Sequence, residues 1–203
     1  MTATSAVKRI LQVKKAGHLG TLDPFASGVL PVAVGNATKM FEKHLKDNKT
    51  YRAIFKFGIE TDTFDSDGNI TNTKDDIISK EEIEVALKTM TGIIDQMPPA
   101  FSAKKINGVR AYDLARAGKE VELKPKTITI YDFSLICQLF ENTFLFEIKC
   151  SSGTYVRSCC RDLAKALGTV GVMVGLVRTK SGEYDISNSI LLDEVNKEMV
   201  LKI

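Results

Sequence analysis

The stretch GHLGTLDPFASGVLPVAVG, Gly17 to Gly35, places four glycines and two prolines around a single acid, Asp23. Proline removes a backbone donor and costs a helix interior about 3 kcal/mol, and glycine costs about 1 kcal/mol relative to alanine. The segment is therefore a loop, fixed by its prolines and open to close approach at its glycines, ending in a short strand over VLPVAVG. Pro31 places that strand at an edge or a bulge.

The remaining elements follow from period and punctuation. Ser5 is positioned to cap a helix with Ala6, Val7, Ile10 and Leu11 at helical spacing. KMFEKHLKD, from Lys39, has helical polarity. KTYRAIFKFG sets Tyr51, Ala53, Phe55 and Phe57 against polar neighbours in period two, which predicts a strand. IETDTFDSDGNITNT predicts two strands joined at Asp67-Gly68. As a calcium loop it fails at both ends, with Thr63 as first ligand and Lys74 where the closing glutamate belongs. Ser79 and Glu82 form a capping box for a helix that Gly92 is expected to close. A short helix is expected near Tyr112–Ala117. Strands are expected within Lys126–Ile136, Thr143–Cys150 and Gly171–Arg178, with a helix from Tyr155 to Leu167 ended by Gly168. Helices and strands mix without a regular βαβ alternation, so the expected class is α+β, a mixed, mainly antiparallel β-sheet with flanking helices.

The chain has 203 residues, enough to bury a substantial core in one compact body. No apolar run is long enough to span a bilayer, and lysine and arginine interrupt the N-terminus where a secretory leader would be apolar. Cys137, Cys150, Cys159 and Cys160 include no CxxC pair and no histidine at zinc-finger spacing, so they read as reduced thiols of a cytoplasmic protein. The net charge of +3 is small, but it is unevenly distributed. Lys39–Lys56 and Phe101–Lys126 carry surplus cations, while Glu60–Glu84 is acidic. That polarity suits a polyanion docking in one orientation, and it equally suits ordinary solvated helices.

Two readings stay open for each candidate residue. Asp23 is either a working carboxylate or a turn cap. His18 is an ordinary loop histidine or a catalyst. Arg157, beside a helix start where the dipole favours acids, answers either to a carboxylate or phosphate elsewhere or to a surface partner. Tyr51 and Tyr155 are stacking platforms for a base or core aromatics.

Read in order, GHLGTLDPFASGVLPVAVGNATK, KTYRAIFKFGIETDTFDSDG, PPAFSAKKINGVRAYDLARAG, CSSGTYVRSCCRDLAKALG and VGLVRTKSGEY resemble the motifs of the TruB family of tRNA pseudouridine synthases, from Thr4 to about Val195. The resemblance implies the pseudouridine synthase fold and an enzyme that isomerises the T-loop uridine of tRNA (position 55) without metal or organic cofactor. Asp23 would be the catalytic acid. His18 would fill the gap left by a flipped base, at a cost of a few kcal/mol for unstacking. Tyr51 would stack on the uracil, Arg157 would pair with Asp23, Tyr155 would complete the pocket, and Leu176 would supply an apolar wall. Lys104, Lys105 and Arg110 would grip phosphates of the T arm.

The family usually opens with a strand and a KPxG loop before the first helix, and many members end in an RNA-binding domain. Neither is recognised here, so the expectation is one catalytic domain over residues 1–203. The implied partner is tRNA, with no membrane association and a monomeric state. The alternative is a tRNA-binding folding chaperone without turnover; a box-guided relative would be expected to have a longer chain with an attached RNA-binding domain.

Overall fold

The computed structural model describes residues 2–40, 44, 46–102, 105–106, 109–110 and 123–201. In chain order the elements are α1 (Ala3–Ile10), β1 (Ala16–His18), β2 (Ser27–Gly28), β3 (Val32–Val34), β4 (Lys49–Phe57), β5 (Ile59–Thr61), β6 (Ile70–Thr73), α2 (Lys80–Leu87) and β7 (Gly92–Gln96). There follow β8 (Lys105–Ile106), β9 (Val109–Arg110), β10 (Lys126–Phe140), β11 (Thr143–Cys150), α3 (Val156–Ala166), β12 (Gly171–Ser181) and β13 (Tyr184–Asp185). The chain divides into two units, Met1–Tyr51 with Val177–Ile203, and Arg52–Leu176. Both β4 and β12 continue from one unit into the other. The architecture is α+β with a predominantly antiparallel sheet, as the mixed pattern predicts. No helix among the described residues is long and apolar enough to cross a membrane.

In the second unit the strands lie in the order β12, β4, β11, β10, β7. Alternation in β4 buries Ala53, Phe55 and Phe57. Phe55 meets Phe146 of β11 at 4.8 Å between centroids, and Phe133 of β10 meets both rings edge-on. Such pairs add about 0.5–1.5 kcal/mol to the gain from burial. Along β10 the buried positions change phase, from Ile128 and Ile130 to Phe133, and the register slips between Ile130 and Asp132. The extra residue at this bulge is Tyr131, which turns outward and is 49% exposed.

α2 carries the predicted capping box: Ser79 Oγ accepts from the Glu82 backbone N–H, and Glu82 accepts from the Ser79 N–H. It packs Ile83 and Leu87 toward β10 and α3. The helix ends at Leu87 rather than at Gly92, which instead opens β7 with φ +96°. β7 pairs antiparallel with β10 from Gly92↔Ile130 to Gln96↔Lys126. The β5–β6 hairpin forms as expected, but its connection is wider than an Asp-Gly turn. Asp62 accepts from the Asn69 N–H, and the Thr61 hydroxyl donates to the Asp65 carbonyl.

In the first unit, Thr2 caps α1, its side chain accepting from the Ser5 N–H, so Ser5 lies inside the first turn instead of at the cap. β1 and β3 pair antiparallel, His18 opposite Val32. A 3-10 helix spans Gly35–Met40, and most of the helix expected beyond it lies outside the described residues, as does the one expected near Tyr112–Ala117.

Candidate active site

Asp23 sits at the first position of a turn closed by the Ala26 N–H donating 2.9 Å to the Asp23 carbonyl. Pro24 follows at the position whose φ proline pre-sets, and aspartate is favoured at the first position of such turns. The bond that closes the turn uses the Asp23 backbone; the side chain is half-buried. The loop's ends are anchored by Leu19 and Val29, both buried, and by the Leu19 N–H donating 2.9 Å to the Pro31 carbonyl.

Ser27–Gly28 forms a two-residue parallel strand against Val177–Arg178. Gly28 has φ +102°, and a Cβ there would lie 2.8 Å from the Arg178 backbone N and nearer still to its carbonyl oxygen. Only glycine permits that approach. The Arg178 side chain is 1% exposed. Its Nε donates 2.8 Å to the Val29 carbonyl and its Nη2 donates 3.2 Å to the Gly20 carbonyl.

His18 is exposed on β1, its ring nitrogens 3.2 Å from Thr4 Oγ1 and 3.4 Å from Thr21 Oγ1. Tyr51, half-buried on β4, is the third expected site residue in this unit.

In the second unit the expected residues cluster at the start of α3. No side chain of Tyr155 caps this helix. The Gln96 amide, 2% exposed at the end of β7, does so instead: Oε1 accepts from the Tyr155 N–H at 2.8 Å, and Nε2 donates to the Tyr155 carbonyl at 3.1 Å. One side chain thus behaves as a peptide group and satisfies a helix end. Ser158 Oγ and Arg161 Nη2 both donate to the Met97 carbonyl.

Arg157 is 5% exposed. Its Nη1 lies 3.2 Å from Asp65 Oδ2 and donates 2.9 Å to the Thr63 carbonyl, while Nη2 donates 3.0 Å to the Phe101 carbonyl. Asp65 in turn accepts from Thr63 Oγ1 and the Asp67 N–H through Oδ1. Of the two partners considered from sequence, a carboxylate is therefore present, and this pair is buried rather than at the surface. Arg161 pairs with Asp162 at 2.7 Å, and its guanidinium stacks 5.4 Å above Phe64. Leu176 is buried at the end of this unit's stretch of β12.

Lys105 and Arg110 are paired in the backbone register of the β8–β9 ladder, and Lys104 lies outside the described residues. The reading from sequence did not single out Asp65, Gln96 or Arg178. A lone arginine in the apolar strand GVMVGLVRTKS was the available signal for Arg178; Asp65 was one acid among many.

The sequence profile described as TruB family pseudouridylate synthase (N terminal domain) matches residues 8–156. That described as tRNA pseudouridylate synthase B C-terminal domain matches residues 157–202. The chain is 46% identical over 194 residues to tRNA pseudouridine synthase B of Clostridioides difficile strain 630, covering 94% of this chain and 64% of that protein. It is 43% identical over 192 residues to the enzyme of the same name from Caulobacter vibrioides, covering 95% and 62%. The chain thus spans less than two thirds of these curated relatives. Among solved structures it superposes on a Cbf5-Nop10-Gar1 complex with TM-score 0.70 at 29% identity, covering 94% of this chain and 49% of the other. An H/ACA ribonucleoprotein bound to a substrate RNA containing 2'-deoxyuridine gives TM-score 0.69 at 26% identity, covering 94% and 46%. With two consecutive profiles matched across residues 8–202, the chain belongs to the TruB family of pseudouridylate synthases.

Proposed function

We propose that this chain converts uridine to pseudouridine in tRNA, at the T-loop uridine. The observation that carries the reading is the TruB profile match, which includes the fixed loop bearing Asp23. In the reaction the N1–C1′ bond breaks, the uracil turns, and C5 bonds to C1′. C5 gives up its proton and N1 ends protonated, so the product is an isomer and no co-reactant is consumed.

Asp23 is the catalytic carboxylate in this reading. Three routes use it: attack on the ribose C1′, attack on the uracil C6, or removal of a ribose proton through a glycal. Each requires the ionised acid. The target base leaves the stacked loop, and His18 occupies the gap. Tyr51, Tyr155 and Leu176 hold the uracil, with Arg157 as the cation serving the acid. Lys104, Lys105 and Arg110 meet phosphates, which position the RNA without choosing the base. The monomer acts alone in the cytoplasm.

The test is pseudouridine mapping by carbodiimide primer extension on an unmodified tRNA transcript. A single stop at the T-loop uridine supports the reading. Tight tRNA binding with no stop at any uridine would replace it with a chaperone that grips tRNA without turnover.

A further inference from the structure

A buried guanidinium is costly to desolvate, and proteins usually offset the cost with a carboxylate. Arg178 is 1% exposed, yet the salt bridges among the described residues do not include it. Its donors go to two backbone carbonyls, Gly20 and Val29, on either side of the turn that carries Asp23. The Val29 N–H returns a third bond, 2.8 Å, to the Arg178 carbonyl. Gly28 makes this contact possible by lacking a Cβ. If β12 needed only filling at this position, an apolar side chain would serve without the desolvation cost. The planar fork of arginine can reach both carbonyls at once, which a lysine ammonium cannot do in the same geometry.

We propose that Arg178 is the positioning residue of the Asp23 loop: it ties Gly20 to Val29, closes the intervening chain into a ring, and sets where the Asp23 carboxylate stands. The proposal rests on Asp23 being the catalytic acid. A displacement of about 1 Å at a reacting group costs on the order of a hundredfold in rate. The arginine therefore affects the chemical step without touching the substrate.

The experiment compares Arg178→Lys and Arg178→Gln with the unaltered chain by hydrogen exchange, tRNA affinity and single-turnover pseudouridine formation at saturating enzyme. Expected are faster exchange confined to residues 19–30, tRNA affinity within about threefold, and a rate about a hundredfold lower in both variants. Partial rescue of Arg178→Ala by added methylguanidinium, and not by methylammonium, is also expected, because the fork is what the loop requires. Unchanged exchange in the loop would overturn the proposal, as would wild-type rate in Arg178→Lys. Faster exchange across the whole of the first unit, or failure of every variant to fold, would also overturn it by making Arg178 a general strut. An unaltered chain without synthase activity would overturn the functional reading alone, because the exchange comparison does not depend on turnover.

Discussion

Arg157 and Asp65 form an ion pair of 3.2 Å whose side chains are 6% and 7% exposed. The pair joins the first turn of α3 to the β5–β6 loop, and the cation also donates to two carbonyls, Thr63 and Phe101. Coulomb attraction in so dry a place is strong, but so is the desolvation that opposes it, and the large effect appears when one partner is removed.

Asp65→Ala removes a buried carboxylate partner of the Arg157 guanidinium and is expected to destabilise the chain by about 1–3 kcal/mol, read as a lower urea midpoint. Asp65→Asn keeps an acceptor for Thr63 and is expected to lose less. A change under about 0.5 kcal/mol in Asp65→Ala would show that the pair is not sustained in solution.

Gln96→Ala removes both bonds to the Tyr155 peptide groups and leaves the start of α3 uncapped. The Tyr155 carbonyl keeps its bond from the Cys159 N–H, so the cost falls on the Tyr155 N–H, at about 1–3 kcal/mol. The expected result is lower stability, with faster amide exchange at Tyr155. Normal protection at Tyr155 in this variant would contradict the capping role.

The thiols give a pH prediction. Burial pushes Cys159 and Cys160 well above the ordinary thiol range, with the neighbouring Cys150 adding to the effect on Cys159 and Cys159 adding to that on Cys160. A folded value above the unfolded one means the thiols contribute stability fully below the unfolded value of about 8.5 and lose it as pH rises above that. The urea midpoint should therefore fall above about pH 8.5. At neutral pH a thiol reagent should label Cys137, which is half-buried, and reach buried Cys150, Cys159 and Cys160 only on unfolding. Rapid native labelling of Cys159 would contradict this.

Much of the fold is legible locally. Period two in β4, the Ser79–Glu82 box and Gly168 after α3 are short-range signals, and the structure follows each of them. β7 was not, because GIIDQ is brief and Gly92 serves a strand start as readily as a helix stop. Asp65 reads as one of a run of solvated acids until the fold carries it to Arg157, ninety-odd positions along the chain. Gln96 and Arg178 share that property. Their partners are backbone groups of distant segments, and no sequence spacing encodes such a contact.

Lys105→Gln and Arg110→Gln test the RNA-facing proposal. Each is expected to weaken tRNA binding and to reduce the slope of log affinity against log salt by about 0.7–0.9, with the same uridine modified. An unchanged slope would remove the residue from the interface.

Tritium release gives the direct test of Asp23 as the catalytic acid, because C5 must lose its hydrogen when it bonds to C1′. Transcripts labelled at C5 of uridine are mixed with the unaltered chain or with Asp23→Asn, which keeps the shape and removes the charge. Release is expected from the unaltered chain and none above background from the variant, with tRNA affinity preserved. Substantial release by Asp23→Asn would contradict that role.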